Sequence, residues 1–217
     1  MKVYVSILDG SKQLVKRAML ATAGITMLTD PNKLTESLSK ELSKKTFQSL
    51  LLGRHSPINM YKVWIDIVAP ERVHTHLIRH HKIEPFVATS RPDISYMVPL
   101  ENGERCFSLI IDAKRLIEIA WLRRCDRAWI DTRHVFDKIE EMLVAMEPAF
   151  DPFLKPSCIW FGMCPEPKLD NKCFYFKTPR AKKERAAITA LSRGVIDVVK
   201  QECSCGEDAP IRCGMCK

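Results

Sequence analysis

The chain has 217 residues, 46% of them hydrophobic, and a formal net charge of +8. This length and apolar content allow a core of ordinary size and exclude a wholly disordered chain. No run of about 18 apolar residues predicts a membrane span, and the N-terminus lacks the pattern of a signal peptide, so we expect a soluble, cytoplasmic protein with no membrane partner. The charge itself favours an anionic partner without choosing among phosphorylated small molecules, nucleic acid and a membrane surface.

The first half of the chain alternates strand and helix patterns. Residues 61–68 predict a strand, because Val63, Ile65 and Ile67 alternate with polar or aromatic neighbours. The other expected elements before residue 82 are a strand at 2–8, helices at 12–23, 35–45, 46–52 and 71–81, and a loop from residue 55.

The second half begins with a predicted strand at 105–111 and a helix to residue 123, for which Asp112 is the expected N-cap. A further helix is expected at 131–146. Beyond Pro148 the composition shifts to proline, cysteine and aromatic residues, which predicts the end of the compact core. A basic helix at about 180–201 then leads to a cluster of cysteines.

The predicted helix after the second strand carries most of the candidate chemistry. Residues three or four positions apart lie on one face of a helix. The polar face would hold Arg72, His76, Arg79 and His80, while Val73, Leu77 and Ile78 would face the core. The alternative is that these charges form only a solvated helix face.

A second group of polar residues follows this helix. The guanidinium groups of Arg79 and Arg91 have the planar shape that binds phosphate or a base carbonyl, and Thr89 and Ser90 add hydroxyl and backbone donors. Together they predict an anion pocket.

The segment from Arg79 to Arg91 resembles the signature R-H-R-x-x-S-x-N-x-x-S-x-R of the flavin-dependent thymidylate synthases. Arg79, His80 and Arg91 match, Thr89 replaces the second Ser, and the other three signature positions depart. Flanking segments in the same order are similar to further motifs of the family, so the resemblance covers about residues 46–175. These segments are 53–57 (GRHSP), 112–116 (DAKRL), 121–129 (WLRRCDRAW) and the cysteines at 158, 164 and 173.

This resemblance implies a fold and an activity. The fold is an α/β (α+β) fold with a largely antiparallel sheet flanked by helices, in which residues 1–150 form a nucleotide-binding core and residues 151–217 a Cys-rich extension. The activity is transfer of a one-carbon unit from methylenetetrahydrofolate to C5 of dUMP, a methyltransferase reaction that uses FAD and NADPH. The family's sites lie between subunits, which implies a homotetramer.

The resemblance also implies roles for individual residues, by position. Arg123 would be catalytic, stabilising charge on the uracil carbonyl. The pyrimidine deoxynucleotide would be bound by His76, Arg79, Thr89, Ser90, Arg91 and Arg123. The cofactor would be bound by Ser56, Arg79, His80, His81 and Arg127. Whether dUMP or dCMP is the nucleotide stays open.

Several residues depart from the family's flavin contacts. Asn59 stands at a Glu position, Phe86, Asp112 and Glu118 stand at Asn positions, and Arg127 stands at a His position. The segment 92–104 is also shorter than the family's insertion, and only Arg105 is near enough in sequence to replace the arginine which that insertion supplies. Three hypotheses follow: a divergent synthase, a pyrimidine deoxynucleotide hydroxymethyltransferase, and a non-catalytic nucleotide-binding or structural protein.

Two metal hypotheses remain. His76 and His80 are four residues apart and would clamp a metal from one helix face, although no carboxylate stands at ligand spacing. The second site is a zinc site of two closely spaced thiol pairs, Cys203, Cys205, Cys213 and Cys216. Its alternative is a frayed tail with free thiols.

Cys158, Cys164 and Cys173 form an incomplete second set, for which a terminal cysteine is the expected fourth ligand. The basic helix beside these cysteines would bind nucleic acid or, as is more common for such helices, form a solvated face.

Overall fold

The computed structural model of the chain describes residues 1–80, 83–87, 103–167 and 173–202, with side chains described up to residue 194. Its four strands are β1 (Lys2–Ile7), β2 (Lys62–Pro70), β3 (Glu84–Val87) and β4 (Glu104–Asp112). Its helices are α1 (Ser11–Thr22), α2 (Pro31–Ser39), α3 (Lys44–Gly53), α4 (Glu71–Ile78), α5 (Ala113–Arg123), α6 (Ile130–Met146), α7 (Ser157–Phe161) and α8 (Pro179–Glu202). A 3-10 helix (Ser56–Met60) precedes β2.

The strands form one antiparallel sheet in the order β1-β2-β4-β3. Strand β2 lies at its centre, and Val63, Ile65 and Ile67 are buried as the alternation predicts. They oppose Ile111, Leu109 and Phe107 of β4, which are also buried. The predicted fold class, an antiparallel sheet flanked by helices, is confirmed.

The two faces of the sheet differ. Helices α4, α5 and α6 pack on the face that carries the core. On the other face the indole of Trp64 stacks on Phe86, with ring centroids 5.4 Å apart, and the indole N–H donates to Asp66 at 2.7 Å. The Ser108 hydroxyl donates to the same carboxylate. This second face therefore holds a small polar and aromatic cluster.

Helices α4 and α5 start at opposite ends of the sheet. Helix α4 follows directly from the last residue of β2, whereas α5 follows from the last residue of β4, which pairs with the first residue of β2. Both helices then run back along the same face of the sheet. Their C-terminal ends meet, because the side chain of Arg123 hydrogen-bonds to His80 and to the carbonyl of His76.

Several sequence predictions need correction. The helix expected at 35–45 begins at Pro31 and ends at Ser39, since Asp30 caps it and Pro31 occupies its first turn. Helix α4 ends at Ile78 rather than at about residue 81, and Ile78 is 43% exposed instead of facing the core. Strand β3, helix α7 and the 3-10 helix before β2 are additional elements. These elements are too short for their residues to show helix or strand periodicity in the sequence.

The core also extends beyond Pro148, where the composition predicted its end. Ala149, Phe150 and Phe153 are fully buried in the main core, and the Phe150 ring packs against Phe47 and Tyr61. A second, smaller apolar cluster joins α7 and α8 through Cys158, Ile159, Ala181 and Ile188. The assignment of 151–217 as a separate extension stays a prediction.

Within the described part of the chain, no helix has the length and apolar character needed to cross a bilayer.

Candidate functional site

The meeting point of α4 and α5 gathers five cationic or imidazole side chains, which we call the cation pocket: Arg72, His76, Arg79, His80 and Arg123. Arg123 is its central member. Its Nε–H donates to His80 Nε2 at 3.0 Å, and one Nη2–H donates to the His76 carbonyl at 3.2 Å. Both acceptors are uncharged. No carboxylate pairs with Arg123 or Arg79 within the described residues, so their positive charge is not neutralised there.

Electrostatics show how closely these groups lie. Burial lowers the pKa of His76, and the charges of Arg123, Arg79 and Arg72 lower it further. Burial likewise lowers the pKa of Arg123, with Arg79 adding to the effect. A guanidinium nevertheless stays protonated in proteins. The pocket thus combines fixed cations with a histidine that is mainly neutral at pH 7 and ready to gain a proton beside an anion.

The rim of the pocket contains residues that the sequence analysis did not identify. Arg72 Nε donates to Asp131 at 3.0 Å, and its guanidinium lies 4.2 Å from the centre of the Trp129 ring. The Trp129 indole N–H also donates to Asp131, which lowers the pKa of that carboxyl, as do the contacts with Arg72. His76 Nδ1 lies 3.2 Å from the Thr132 hydroxyl. These partners come from the start of α6, 56 or more residues away, where no periodicity could indicate them.

The metal hypothesis for His76 and His80 does not fit this geometry. His80 lies beyond the last residue of α4, so the two rings are not on consecutive turns of a helix. His80 Nε2 already accepts a hydrogen bond from Arg123. In the described ranges, no group of three His, Cys, Asp or Glu side chains is arranged to hold a metal ion.

The other end of α5 carries the residues that depart from the family's flavin contacts. Asp112 caps the helix as predicted, accepting from the Arg115 backbone N–H at 2.9 Å. Glu118 pairs with Arg115 Nη1 at 3.0 Å. We call Asp112, Arg115 and Glu118 the acidic end of α5. At 1.5 Å per residue, Asp112 lies roughly 16 Å and Glu118 roughly 8 Å from Arg123 along the helix axis.

Ser56 lies two residues after Arg54, whose guanidinium is 4.6 Å from the centre of the Trp121 ring near the C-terminal end of α5. It is exposed at the first position of the 3-10 helix that packs against α5. Of the predicted cofactor residues, Arg79 and His80 belong to the cation pocket, whereas Ser56 belongs to the separate segment that precedes β2. Phe86 occupies another position at which the family contacts flavin. Its ring stacks on Trp64, on the opposite face of the sheet.

Two further arginines lie away from the pocket centre. Arg105 pairs with Glu71 at 3.1 Å, at the start of α4, and its role in place of the insertion's arginine stays a prediction. Arg127 is exposed in the turn after α5.

The remaining predicted site residues lie outside the described residues. They are His81, Thr89, Ser90 and Arg91, and the tail cysteines Cys203, Cys205, Cys213 and Cys216.

Comparison with solved structures finds a similar fold in the UMP/dUMP methylase PolB from Streptomyces cacaoi bound with 5-Br dUMP. The TM-score is 0.47 at 15% identity, over 72% of this chain and 97% of that chain. The same methylase bound with 5-Br UMP gives a TM-score of 0.45 at 13% identity, over 72% and 96% of the two chains. No family model and no curated protein matches. Both similarities are distant, and at these identities they transfer no residue role.

Proposed function

We propose that the cation pocket binds a pyrimidine deoxynucleotide, and that the chain is a divergent flavin-dependent thymidylate synthase acting on dUMP. Methylenetetrahydrofolate as carbon donor, NADPH as electron source, FAD as cofactor and a homotetramer are parts of this proposal. The sequence resemblance from residue 46 to 175 supports it. So does the environment of Arg123, the observation on which the proposal mainly rests.

Arg123 is partly buried, and its described hydrogen bonds go to two neutral acceptors. An arginine removed from water without a carboxylate partner is costly unless a ligand supplies negative charge. Arg79 and Arg72 lie close enough to affect the same histidine, which increases the positive potential. A nucleotide phosphate, or a uracil carbonyl on which charge develops, would supply the missing partner.

In the proposed reaction, the residues of this chain bind and orient the nucleotide. Hydrogen bonds from Arg123 to His80 and His76 fix the plane of its guanidinium, so that its remaining N–H groups are directed without a rearrangement. The fixed charge would stabilise the enolate-like negative charge on the uracil carbonyl that makes C5 nucleophilic toward the one-carbon unit. His76, with its lowered pKa, would take up a proton when the phosphate binds.

The described residues do not fit the family's FAD contacts. Asp112 is engaged as a helix cap, Glu118 pairs with Arg115, and Phe86 stacks on Trp64. FAD, when bound, would carry the methylene group and the hydride. We expect it to bind more weakly than in typical members of the family.

These same contacts favour a second candidate, a nucleotide-binding protein without catalysis. In such a protein the cation pocket would bind the nucleotide, while the residues at the expected cofactor positions would only stabilise the fold. The hydroxymethyltransferase hypothesis differs from the synthase in the last step, in which water and not hydride would quench the methylene adduct of the pyrimidine nucleotide.

One experiment distinguishes these functions. Fresh protein is scanned for flavin absorbance and titrated with FAD and dUMP, and then assayed for tritium release from C5-labelled dUMP with methylenetetrahydrofolate and NADPH. Bound flavin, tritium release and a thymidylate product support the synthase, whereas a hydroxymethyl product supports the alternative enzyme. Nucleotide binding without flavin or tritium release supports the non-catalytic protein. Absence of nucleotide binding contradicts the whole proposal.

A further inference from the structure

Two side-chain contacts join helix α4 to the first turn of α6. Arg72 pairs with Asp131, and His76, one turn further along α4, places its Nδ1 3.2 Å from the Thr132 hydroxyl. The first contact joins two charged groups, with the Arg72 side chain 51% exposed, whereas Thr132 in the second contact is fully buried. Asp131 thus neutralises the charge of its partner, while Thr132 offers its partner only a hydroxyl.

The Thr132 hydroxyl has one hydrogen to donate, and its surroundings limit where that hydrogen can go. The residue is 0% exposed, so water does not reach it. Threonine in a helix often donates to the carbonyl four residues back, as Thr75 does to Glu71 at 3.2 Å. Among the described residues, however, the one hydrogen-bond partner of the Thr132 hydroxyl is His76 Nδ1. Because a buried hydroxyl without an acceptor is costly, we assign Thr132 as the donor in this bond.

A hydrogen bond accepted by Nδ1 determines the tautomer of the neutral His76 ring. A neutral imidazole carries one N–H, so a ring that accepts at Nδ1 carries its hydrogen on Nε2. In the described part of the chain, Nε2 of His76 has no hydrogen-bond partner, and the His76 backbone carbonyl accepts from Arg123. The Nε2–H group is therefore available to a ligand beside Arg123.

The same hydroxyl also suits the protonated ring. When His76 gains a proton, both ring nitrogens become donors, and the Thr132 hydroxyl can rotate to accept from Nδ1–H. A carboxylate at this position would only accept, and a methyl group would do neither. Nε2 consequently carries a hydrogen in both protonation states of the ring.

We propose that Thr132 is a positioning residue, which holds His76 with a hydrogen on Nε2 so that the ring donates to an oxygen of the bound nucleotide. This inference rests on the proposed function, because it assumes that the cation pocket receives a nucleotide oxygen. A phosphate oxygen and a uracil carbonyl oxygen can both accept this bond. Thr132 itself does not contact the nucleotide. It adds an oriented donor to the fixed charges of Arg123 and Arg79.

The test uses the full-length protein with isotope-labelled histidine ring nitrogens. A long-range proton–nitrogen NMR spectrum at about pH 8, where an ordinary histidine is neutral, shows which ring nitrogen carries the hydrogen. The variant His76→Gln identifies the His76 signals by their loss. In the wild type we expect a hydrogen on Nε2 and an Nδ1 signal shifted by an accepted hydrogen bond.

Two substitutions at Thr132 separate its hydroxyl from its shape. Thr132→Val keeps the branched shape and removes the hydroxyl, so the Nδ1 signal should move to that of a nitrogen without a donor, and a fraction with Nδ1–H should appear. Thr132→Ser keeps the hydroxyl and should retain the wild-type spectrum. Thr75→Val is the matched control, because its hydroxyl bonds only within α4, next to His76. It should leave the His76 signals unchanged.

The affinity for dUMP shows whether this orientation matters for binding. Thr132→Val should weaken dUMP binding about 2- to 12-fold, the scale of one neutral hydrogen bond, whereas Thr132→Ser and Thr75→Val should stay within about twofold of the wild type. Isothermal titration calorimetry measures the affinities, and urea denaturation confirms that each variant is folded.

The proposal is wrong if wild-type His76 carries its hydrogen on Nδ1, if Thr132→Val leaves the Nδ1 signal unchanged, or if that variant binds dUMP as tightly as the wild type. The wild-type and Thr132→Ser spectra decide the tautomer if Thr132→Val does not fold. A wild type that shows the expected tautomer but binds no dUMP would contradict the proposed function and leave the hydrogen bond from Thr132 to His76 in place.

Discussion

The two ends of helix α5 use charged residues in opposite ways. At the acidic end, Asp112 caps the helix and Glu118 pairs with Arg115, so opposite charges compensate each other. In the cation pocket, Arg123 donates only to neutral acceptors and lies near Arg79 and Arg72. Compensated charge stabilises the fold, whereas uncompensated, partly buried charge lowers stability unless a ligand is present. The comparison therefore supports the proposal that a ligand binds in the cation pocket.

The largest expected effect is that of Arg123→Ala on nucleotide binding. Loss of a hydrogen bond to a charged group costs about 1.5 to 3 kcal/mol, so the affinity for dUMP should fall about 10- to 160-fold. Arg123→Lys retains the charge without the planar fork and should give an intermediate loss. Isothermal titration calorimetry measures both variants.

Arg17→Ala is the matched control, because it removes one positive charge from an exposed position of α1. Its dUMP affinity should equal that of the wild type. If Arg123→Ala and Arg17→Ala behave alike, overall charge and not the pocket determines binding.

At the acidic end we expect an effect on stability instead of binding. Asp112→Ala removes the N-cap acceptor and should lower the free energy of unfolding by about 1 kcal/mol, measured by urea denaturation. Asp112→Asn keeps a capping acceptor and restores the family's residue, so its stability should stay close to wild type. Equal destabilisation by both substitutions would show that the cap is not the role of Asp112.

Arg79→Ala should weaken dUMP binding less than Arg123→Ala does, about fivefold at most, because Arg79 is exposed and water screens its charge. The same variant should raise the pKa of His76, since Arg79 contributes to lowering it. An NMR titration of the histidine ring signals measures that pKa. An unchanged His76 titration would place Arg79 outside the pocket.

The smallest expected effect is on the change of folding stability with pH. Because the pKa of His76 in the folded chain is lowered from its ordinary 6.5, the unfolded chain binds more protons as the pH falls below that value. Stability is thus fully present above about pH 6.5 and is lost on acidification. His76→Gln, which carries the family's residue, should lose less stability between pH 7 and pH 5.5 than the wild type.

His74 has a similarly lowered pKa, caused first by burial and then by Arg105, so part of the pH dependence should persist in His76→Gln. Thermal unfolding at several pH values measures the difference. A steeper loss in His76→Gln than in the wild type would reverse the expected sign.

The sequence predicted the sheet well because its strands alternate strictly, as at Val63, Ile65 and Ile67, and because Asp112 provides a clear cap. It predicted the pocket residues in part, since Arg72 and His76 share a helix face, the signature resemblance indicated Arg79, and the similar segment at 121–129 indicated Arg123. It could not reveal Asp131 or Thr132 as partners of the pocket residues. These contacts join residues that are distant along the chain, so the spacing of residues in the sequence cannot indicate them.

The predicted end of the core, at Pro148, was wrong for a different reason. Phe150 and Phe153 follow Pro148 in a segment without helical or strand periodicity, so composition suggested an exposed tail. The Phe150 ring nevertheless packs against Phe47 of α3, and the Phe153 ring packs against Trp160 of α7, contacts that no local pattern specifies.

Histidine NMR during a dUMP titration tests the central claim most directly, because His76 and His80 contact Arg123 at the proposed site while His134 and His55 lie outside it. We predict saturable shifts of the His76 and His80 ring signals, assigned by single variants, together with a rise in the His76 pKa in the complex. His134 and His55 should remain unchanged. Shifts limited to His134 or His55, or no shift at saturating dUMP, would contradict nucleotide binding in the cation pocket.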